Sequence, residues 1–250
     1  MRMNVSLAAA ALLPCLIVAA PIHAAEMQRL QLDLDGDGRA ETVTLAIAPA
    51  AKESRKWAVV RLGRSEYKAD FFAGQKEIPS LSVMTINWGN SPHAVLRHQL
   101  LLMTPEAGSC VYHVLAAGPG HLDTLLRFDS GADCRAPEPA GNGMISTHAW
   151  QAFWFREERY RLTASGTSLV RVPQDTYEVK VAGAAAKPLL LENAGCSSQQ
   201  VTVGQYLRVE SFDAQGHRYL VKTPAGACGW LPASEVEGPA GSIAELPKAG

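Results

Sequence analysis

The sequence predicts a mostly β protein, with an N-terminal antiparallel β domain over residues 26–175 followed by a small β-barrel over 176–237. Three observations predict it. Leu30, Leu32 and Leu34, then Val43, Leu45 and Ile47, alternate with polar or small residues, which is the period-two signature of half-buried strands. Apolar runs farther along are short and separated by Gly, Pro, Asn or Asp, the spacing of an antiparallel sheet. The composition then breaks at 181–188, where Ala, Gly, Lys and Pro replace the strand pattern before it resumes.

In chain order, the first element is an export signal over residues 1–25. Arg2 supplies its charge, an apolar stretch runs from Val5 to Ala20, and small residues precede Glu26. That stretch is too short, and broken by Pro14, for a membrane span, which needs about 20 apolar residues. Cleavage is placed after Ala24 or Ala25; a lipid-modified Cys15 is the alternative, disfavoured because Pro14 sits where such a site needs a small residue. The address is therefore periplasmic or secreted. Losing Arg2 leaves 22 basic against 24 acidic residues, a net charge of −2, and no later run is long enough to span a membrane. With no basic block to neutralise phosphates, nucleic acid is excluded as a partner.

After the first hairpin, strands are expected at 57–62, 81–88, 94–103, 110–116, 122–128, 148–155 and 159–164. Residues 71–78 read as a short helix or a loop, and 136–143 as an exposed loop. In the module, strands are expected at 176–181, 189–192, 201–204, 206–212, 218–223 and 230–232, and the tail 238–250 reads as disordered. No fixed-period repeat is visible, which excludes a full propeller or solenoid built from this chain alone. Four cysteines follow the signal, and an oxidising compartment favours pairing them. Of three connectivities, proximity and the domain split favour Cys110 with Cys134 and Cys196 with Cys228, each loop contributing roughly 3–4 kcal/mol.

The sharpest motif is Asp33-Leu34-Asp35-Gly36-Asp37-Gly38-Arg39-Ala40-Glu41. Carboxylates at alternate positions, with glycines that permit left-handed turns, suit a hard cation that takes six to eight oxygens. Asp33, Asp35, Asp37, the Arg39 carbonyl and Glu41 are the candidate calcium ligands, in a structural role. A helical calcium hand would need Glu at its twelfth position, where Thr44 stands, so any site here lies between strands. Residues 32–47 resemble the loops of FG-GAP and related β-propeller repeats, in a single copy. The competing reading is a plain Asp-Gly hairpin turn with solvated carboxylates.

Over 177–237 the chain resembles the bacterial SH3-like domain, carried by Val203-Gly204-Gln205-Tyr206-Leu207-Arg208-Val209, by Tyr219-Leu220-Val221-Lys222-Thr223, and by Gly226-Ala227-Cys228-Gly229-Trp230-Leu231 running to Val236. The resemblance implies a small barrel that recognises peptidoglycan, its stem peptides or another envelope protein, with Leu231 and Val236 in the places of the apolar residues that follow the family's Gly-Trp step. It departs from the usual pattern at 190–195. Tyr206, Tyr219 and Trp230 are the aromatic candidates for a binding groove, Trp230 being expected in the core.

Catalytic signatures are missing: no Gly-x-Ser-x-Gly elbow, no His-Glu-x-x-His, no phosphate-cradling loop. His93, His98, His113, His121, His148 and His217 stand singly and read as surface or partly buried residues, and Glu157-Glu158 as a polar turn. In the run 149–155 strict alternation would put Trp150 and Trp154 on one face and Phe153 and Phe155 on the other. A strand buried on both faces is favoured over an exposed aromatic strip. The expected function is non-enzymatic binding in the cell envelope; the alternative is a calcium-stabilised structural or adhesion protein whose first domain makes the contact.

Overall fold

The computed structural model describes residues 25–34, 37–88, 95–118, 121–193, 195, 200–238 and 241–247. The chain is mostly β, as the sequence predicts, and it begins with three consecutive four-stranded antiparallel sheets. The first holds β1 (Ala25–Leu32), β2 (Glu41–Pro49), β3 (Arg55–Leu62) and β4 (Ser65–Phe72) in chain order. The second holds β5 (Ser80–Trp88), β6 (Val95–Glu106), β7 (Ser109–Gly118) and β8 (His121–Asp129). The third holds β9 (Glu138–Gly141), β10 (Met144–Gln151), β11 (Trp154–Leu162) and β12 (Leu169–Val172).

The second sheet is the middle layer. Leu81, Leu100, Leu102 and Leu115 face the first sheet and pack with Val43, Leu45, Val60 and Phe71. Their neighbours Met84, Ile86, Leu101 and Val114 point the other way, toward Ile145 and Leu162 of the third. Burial on both faces explains why 100–103 reads as an unbroken Leu-Leu-Leu-Met run where a half-exposed strand would alternate. The expected Cys110–Cys134 bridge is present, its Cα atoms 4.9 Å apart, and ties the start of β7 to the turn after β8.

The third sheet departs most from the sequence reading. Residues 136–143 are not all loop: Glu138–Gly141 is strand β9, and Asn142 (φ +51°) and Gly143 (φ +72°) make a tight hairpin turn. The expected strand 148–155 is two strands, β10 and β11, joined through Ala152 (φ +51°) and Phe153. Alternation therefore breaks at the aromatic run, and Glu157-Glu158 lies inside β11 rather than in a turn. Residues 73–79 are not helical.

The C-terminal part holds β13 (Thr176–Ala185), β14 (Leu189–Leu190), β15 (Glu192–Asn193), β16 (Gln200–Val201), β17 (Tyr206–Asp213), β18 (Arg218–Lys222), β19 (Cys228–Pro232), α1 (Ala233–Val236) and β20 (Ile243–Ala244). Six of these form one antiparallel sheet ordered β15-β19-β18-β17-β13-β20, and β14 pairs with β16. The composition break is not a linker at its start, because 182–185 continues β13. Nor is the tail all disordered: β20 pairs with β13 at Ala184 and Ala185 and buries Ile243. Small residues permit that approach, since a Cβ on Gly183 would lie 2.5 Å from the Ala244 carbonyl oxygen. Phe153 and Trp154, from the tip of the third sheet, join Tyr177, Leu207, Phe212, Tyr219 and Leu231 in one core. The two expected domains thus share apolar packing. No helix among the described residues is long and apolar enough to cross a membrane, and residues 1–24 of the expected export signal lie outside them.

Candidate functional site

The aromatic candidates do not form one groove. Tyr219 is fully buried (0 % exposed); its hydroxyl accepts from Trp154 Nε1 at 3.0 Å and donates to Glu237 Oε1. Burial and Glu237 push its phenol well above the ordinary range. Tyr219 is therefore core, which corrects its assignment to a binding surface. Trp230 is half-buried rather than core, with the Arg218 guanidinium 4.6 Å above its ring, a cation–π contact. Tyr206 is 54 % exposed and pairs with Ala184 at one end of the sheet, whereas Trp230 pairs with Leu220 and Glu192. Leu190 (78 % exposed) on β14 and Val203 (61 %) in the turn after β16 join Tyr206 as the large exposed apolar residues of this part.

In the acidic loop between β1 and β2, the carboxylates wrap the backbone. Asp33 Oδ2 accepts the Gly38 N–H at 2.8 Å, Asp37 Oδ1 the Arg39 N–H at 2.7 Å, and Glu41 Oε2 the Leu34 N–H at 2.7 Å. These bonds fold the loop as a turn and draw Leu34 into the core beneath it. Among the described residues no three His, Cys, Asp or Glu side chains converge as metal ligands; Asp35 and Gly36 lie outside them. Cys228 is disulfide-bonded, and Cys196, its expected partner, also lies outside the described residues.

A cleft that the sequence reading does not single out opens on the outer face of the third sheet. His148 pairs with Glu157 across β10 and β11, so the alternation puts His148, Phe155, Glu157 and Arg159 on this face. Trp154, Arg156 and Glu158 take the opposite one. Strand β12 pairs with β11 only from Arg159 to Leu162, and beyond it the chain passes into β13. Gln174 Nε2 donates to the Glu157 carbonyl at 2.7 Å there. The resulting space, about 490 Å³, is lined by Arg135, His148, Phe155, Glu157, Arg159, Gln174, Tyr177 and Glu178 among others. His148 is only 9 % exposed, and its Nδ1 has no hydrogen-bond partner in the protein. Burial, with Arg135 second, lowers its pKa against the opposing pull of Glu157 and Glu138, so the ring is neutral at pH 7.

Compared with protein families, curated proteins and solved structures, the chain matches none.

Beneath the cleft, on the inner face, Glu158 is buried and accepts from Arg171 Nε and Nη2 at 2.6 and 2.7 Å, with Arg156 Nε 2.7 Å away. The Tyr177 hydroxyl sits 3.3 Å from both of its oxygens. This cluster joins the third sheet to β13, so its role is cohesion, and the cleft stands on a rigid base. The Asn142-Gly143 dipeptide was the one sequence signal that could have exposed this sheet, because it fixes the β9–β10 hairpin and hence the register that brings Arg135 near His148.

Proposed function

We propose that the chain is an exported, non-catalytic binding protein of the cell envelope that recognises peptidoglycan through its C-terminal β module, the part that resembles bacterial SH3-like domains. The observation that carries this reading is that the module leaves Leu190, Val203 and Tyr206 exposed while its core is filled by residues such as Tyr219 and Phe212. Large apolar side chains left in solvent are candidates for a contact surface. The resemblance is supported further by Gly229-Trp230 entering β19, with Leu231 and Val236 buried in the same core. The sequence at 1–25 supports export, as does the disulfide, which belongs in an oxidising compartment.

The test is co-sedimentation of the full mature chain with purified peptidoglycan sacculi, because the module shares its core with the third sheet. Wild type is expected in the pellet, and a Tyr206→Ala/Leu190→Ser variant with an unchanged melt is expected in the supernatant. Wild type left in the supernatant overturns the reading and points to an envelope protein as partner.

Calcium in the loop at 33–41 belongs to the same proposal as a structural ion, held by Asp33, Asp35, Asp37, the Arg39 carbonyl and Glu41. Its support is the alternation of carboxylates along the sequence, in the turn between β1 and β2.

A further inference from the structure

The cleft over His148 has what a small-molecule site requires and a plain surface groove lacks. It is concave, at about 490 Å³ within the roughly 300–1,000 Å³ of ordinary ligand pockets, and polar groups converge on it from three segments of chain. Arg135 comes from the loop before β9, His148 and Glu157 from the sheet, and Gln174 and Glu178 from the passage into β13. Phe155 and Tyr177 give it apolar wall. The His148 ring lines the cleft although it is nine-tenths buried; its partnerless Nδ1 is covered by protein, so a ligand meets the part of the ring left open.

Charge selects the ligand class. Arg135 lies 3.1 Å from Glu138, and Arg159 lies 3.1 Å from Glu157. Both pairs are solvent-exposed and therefore weak, so either arginine can turn to an incoming carboxylate at little cost. Glu157 and Glu178 supply matching negative charge on the same lining. A polyanion would meet those carboxylates and a polycation would meet the arginines. A molecule that carries one carboxylate and one ammonium a short distance apart meets complementary charge at both ends.

We propose that this cleft binds a dipeptide-sized zwitterion, with its carboxylate toward Arg135 and Arg159, its ammonium toward Glu157, Glu178 and the Gln174 side-chain carbonyl, and its amide against the His148 imidazole. The site is separate from Leu190, Val203 and Tyr206, and the proposal stands whether or not the chain binds the cell wall. Release of short peptides in the same compartment would supply such a ligand.

The experiment is a titration of the full mature chain with alanyl-alanine, read from the histidine ring protons by NMR and from binding heat. N-acetyl-alanyl-alanine and alanyl-alanine amide each remove one charge and serve as comparisons. The His148 resonances are expected to move in a saturable way, with each blocked analogue at least about tenfold weaker, the scale of one lost charge-assisted bond. Arg159→Gln should weaken alanyl-alanine about tenfold and leave the already weak amide unchanged, while Arg161→Gln, outside the cleft lining, should change neither. Absence of any His148 shift, binding of either blocked analogue as tight as that of alanyl-alanine, or full binding by an Arg135→Gln/Arg159→Gln variant would overturn the proposal. Because the blocked analogues are read on wild type, the outcome does not depend on a variant folding.

Discussion

His113 shows what a single buried ring does to this fold. It lies between the first two sheets, with Nδ1 2.8 Å from the Tyr67 hydroxyl and Nε2 3.1 Å from Thr104 Oγ1. Burial, and secondarily Arg127, lower its pKa to about 4 against a weaker opposing pull from Asp70. Above pH 6.5 both the folded and unfolded chains carry it neutral. Below that the unfolded chain binds a proton that the native ring refuses, so stability falls between pH 6.5 and 4, by about 3 kcal/mol in all. Denaturant melts from pH 7 to pH 4 should show this loss in wild type and a flatter slope in His113→Gln; equal slopes would remove His113 as the cause. The lone histidine is legible in the sequence, but its burial is not, because that depends on which face of β7 meets a second sheet. Glu158 teaches the same lesson, since Arg-Glu-Glu-Arg looks like a solvated turn until its register with β12 places Arg171 opposite Tyr160 and within reach. Glu158→Ala strands that arginine and should cost about 3 kcal/mol in a denaturant melt, at the low end for a broken buried pair because Arg171 is half exposed.

Among the elements, the β10–β11 hairpin has the widest influence. Its turn carries Phe153 out of the third sheet and into the C-terminal core, where the ring lies 5.3 Å from that of Tyr219. Phe153→Ala is expected to cost about 3–5 kcal/mol, the usual range for a buried phenylalanine, as measured by chemical unfolding. The paired edge of β13 and β20 makes a second demand. Gly183→Ala places a methyl group against the β20 backbone and should lower stability by about 1–3 kcal/mol, whereas the same change at Gly63, in the exposed β3–β4 turn at φ +57° with nothing within 4 Å of the new methyl, carries only the backbone cost. The first hairpin was legible because its strands alternate, one face being buried. The break at 152 was not, since Ala-Trp-Gln-Ala-Phe-Trp-Phe contains no Gly, Asn or Pro to mark a turn, and Ala152 takes its left-handed conformation under tertiary constraint.

For the whole molecule, the shared core around Phe153 and Trp154 sets the cooperativity. The domain boundary expected at 176 suggests two units, yet the Trp154 ring lies 6.1 Å from those of both Tyr177 and Phe212. Thermal unfolding followed by near-UV and far-UV circular dichroism should therefore give one coincident transition across the third sheet and the C-terminal part, and two separated transitions would contradict that coupling. Calcium belongs at this scale too, because a bound ion stabilises the folded chain through mass action. The melting temperature should rise with calcium and lose that rise in an Asp35→Ala/Asp37→Ala variant; an unchanged wild-type melt in calcium and in chelator would end the proposal. The layering of three sheets left no fixed-period repeat in the sequence, since what repeats is backbone topology while each sheet buries a different set of faces.

The bridge between Cys110 and Cys134 fastens the chain one residue before Arg135, at the lip of the cleft over His148. Its formation is therefore an assembly event as much as a source of stability. A chain whose cysteines are still reduced would hold its sheets, yet the arm that brings Arg135 over His148 would swing on an uncrosslinked turn. Readiness to receive a ligand would then be timed by the oxidising power of the compartment, so that a copy stranded among reducing thiols stays folded but unequipped.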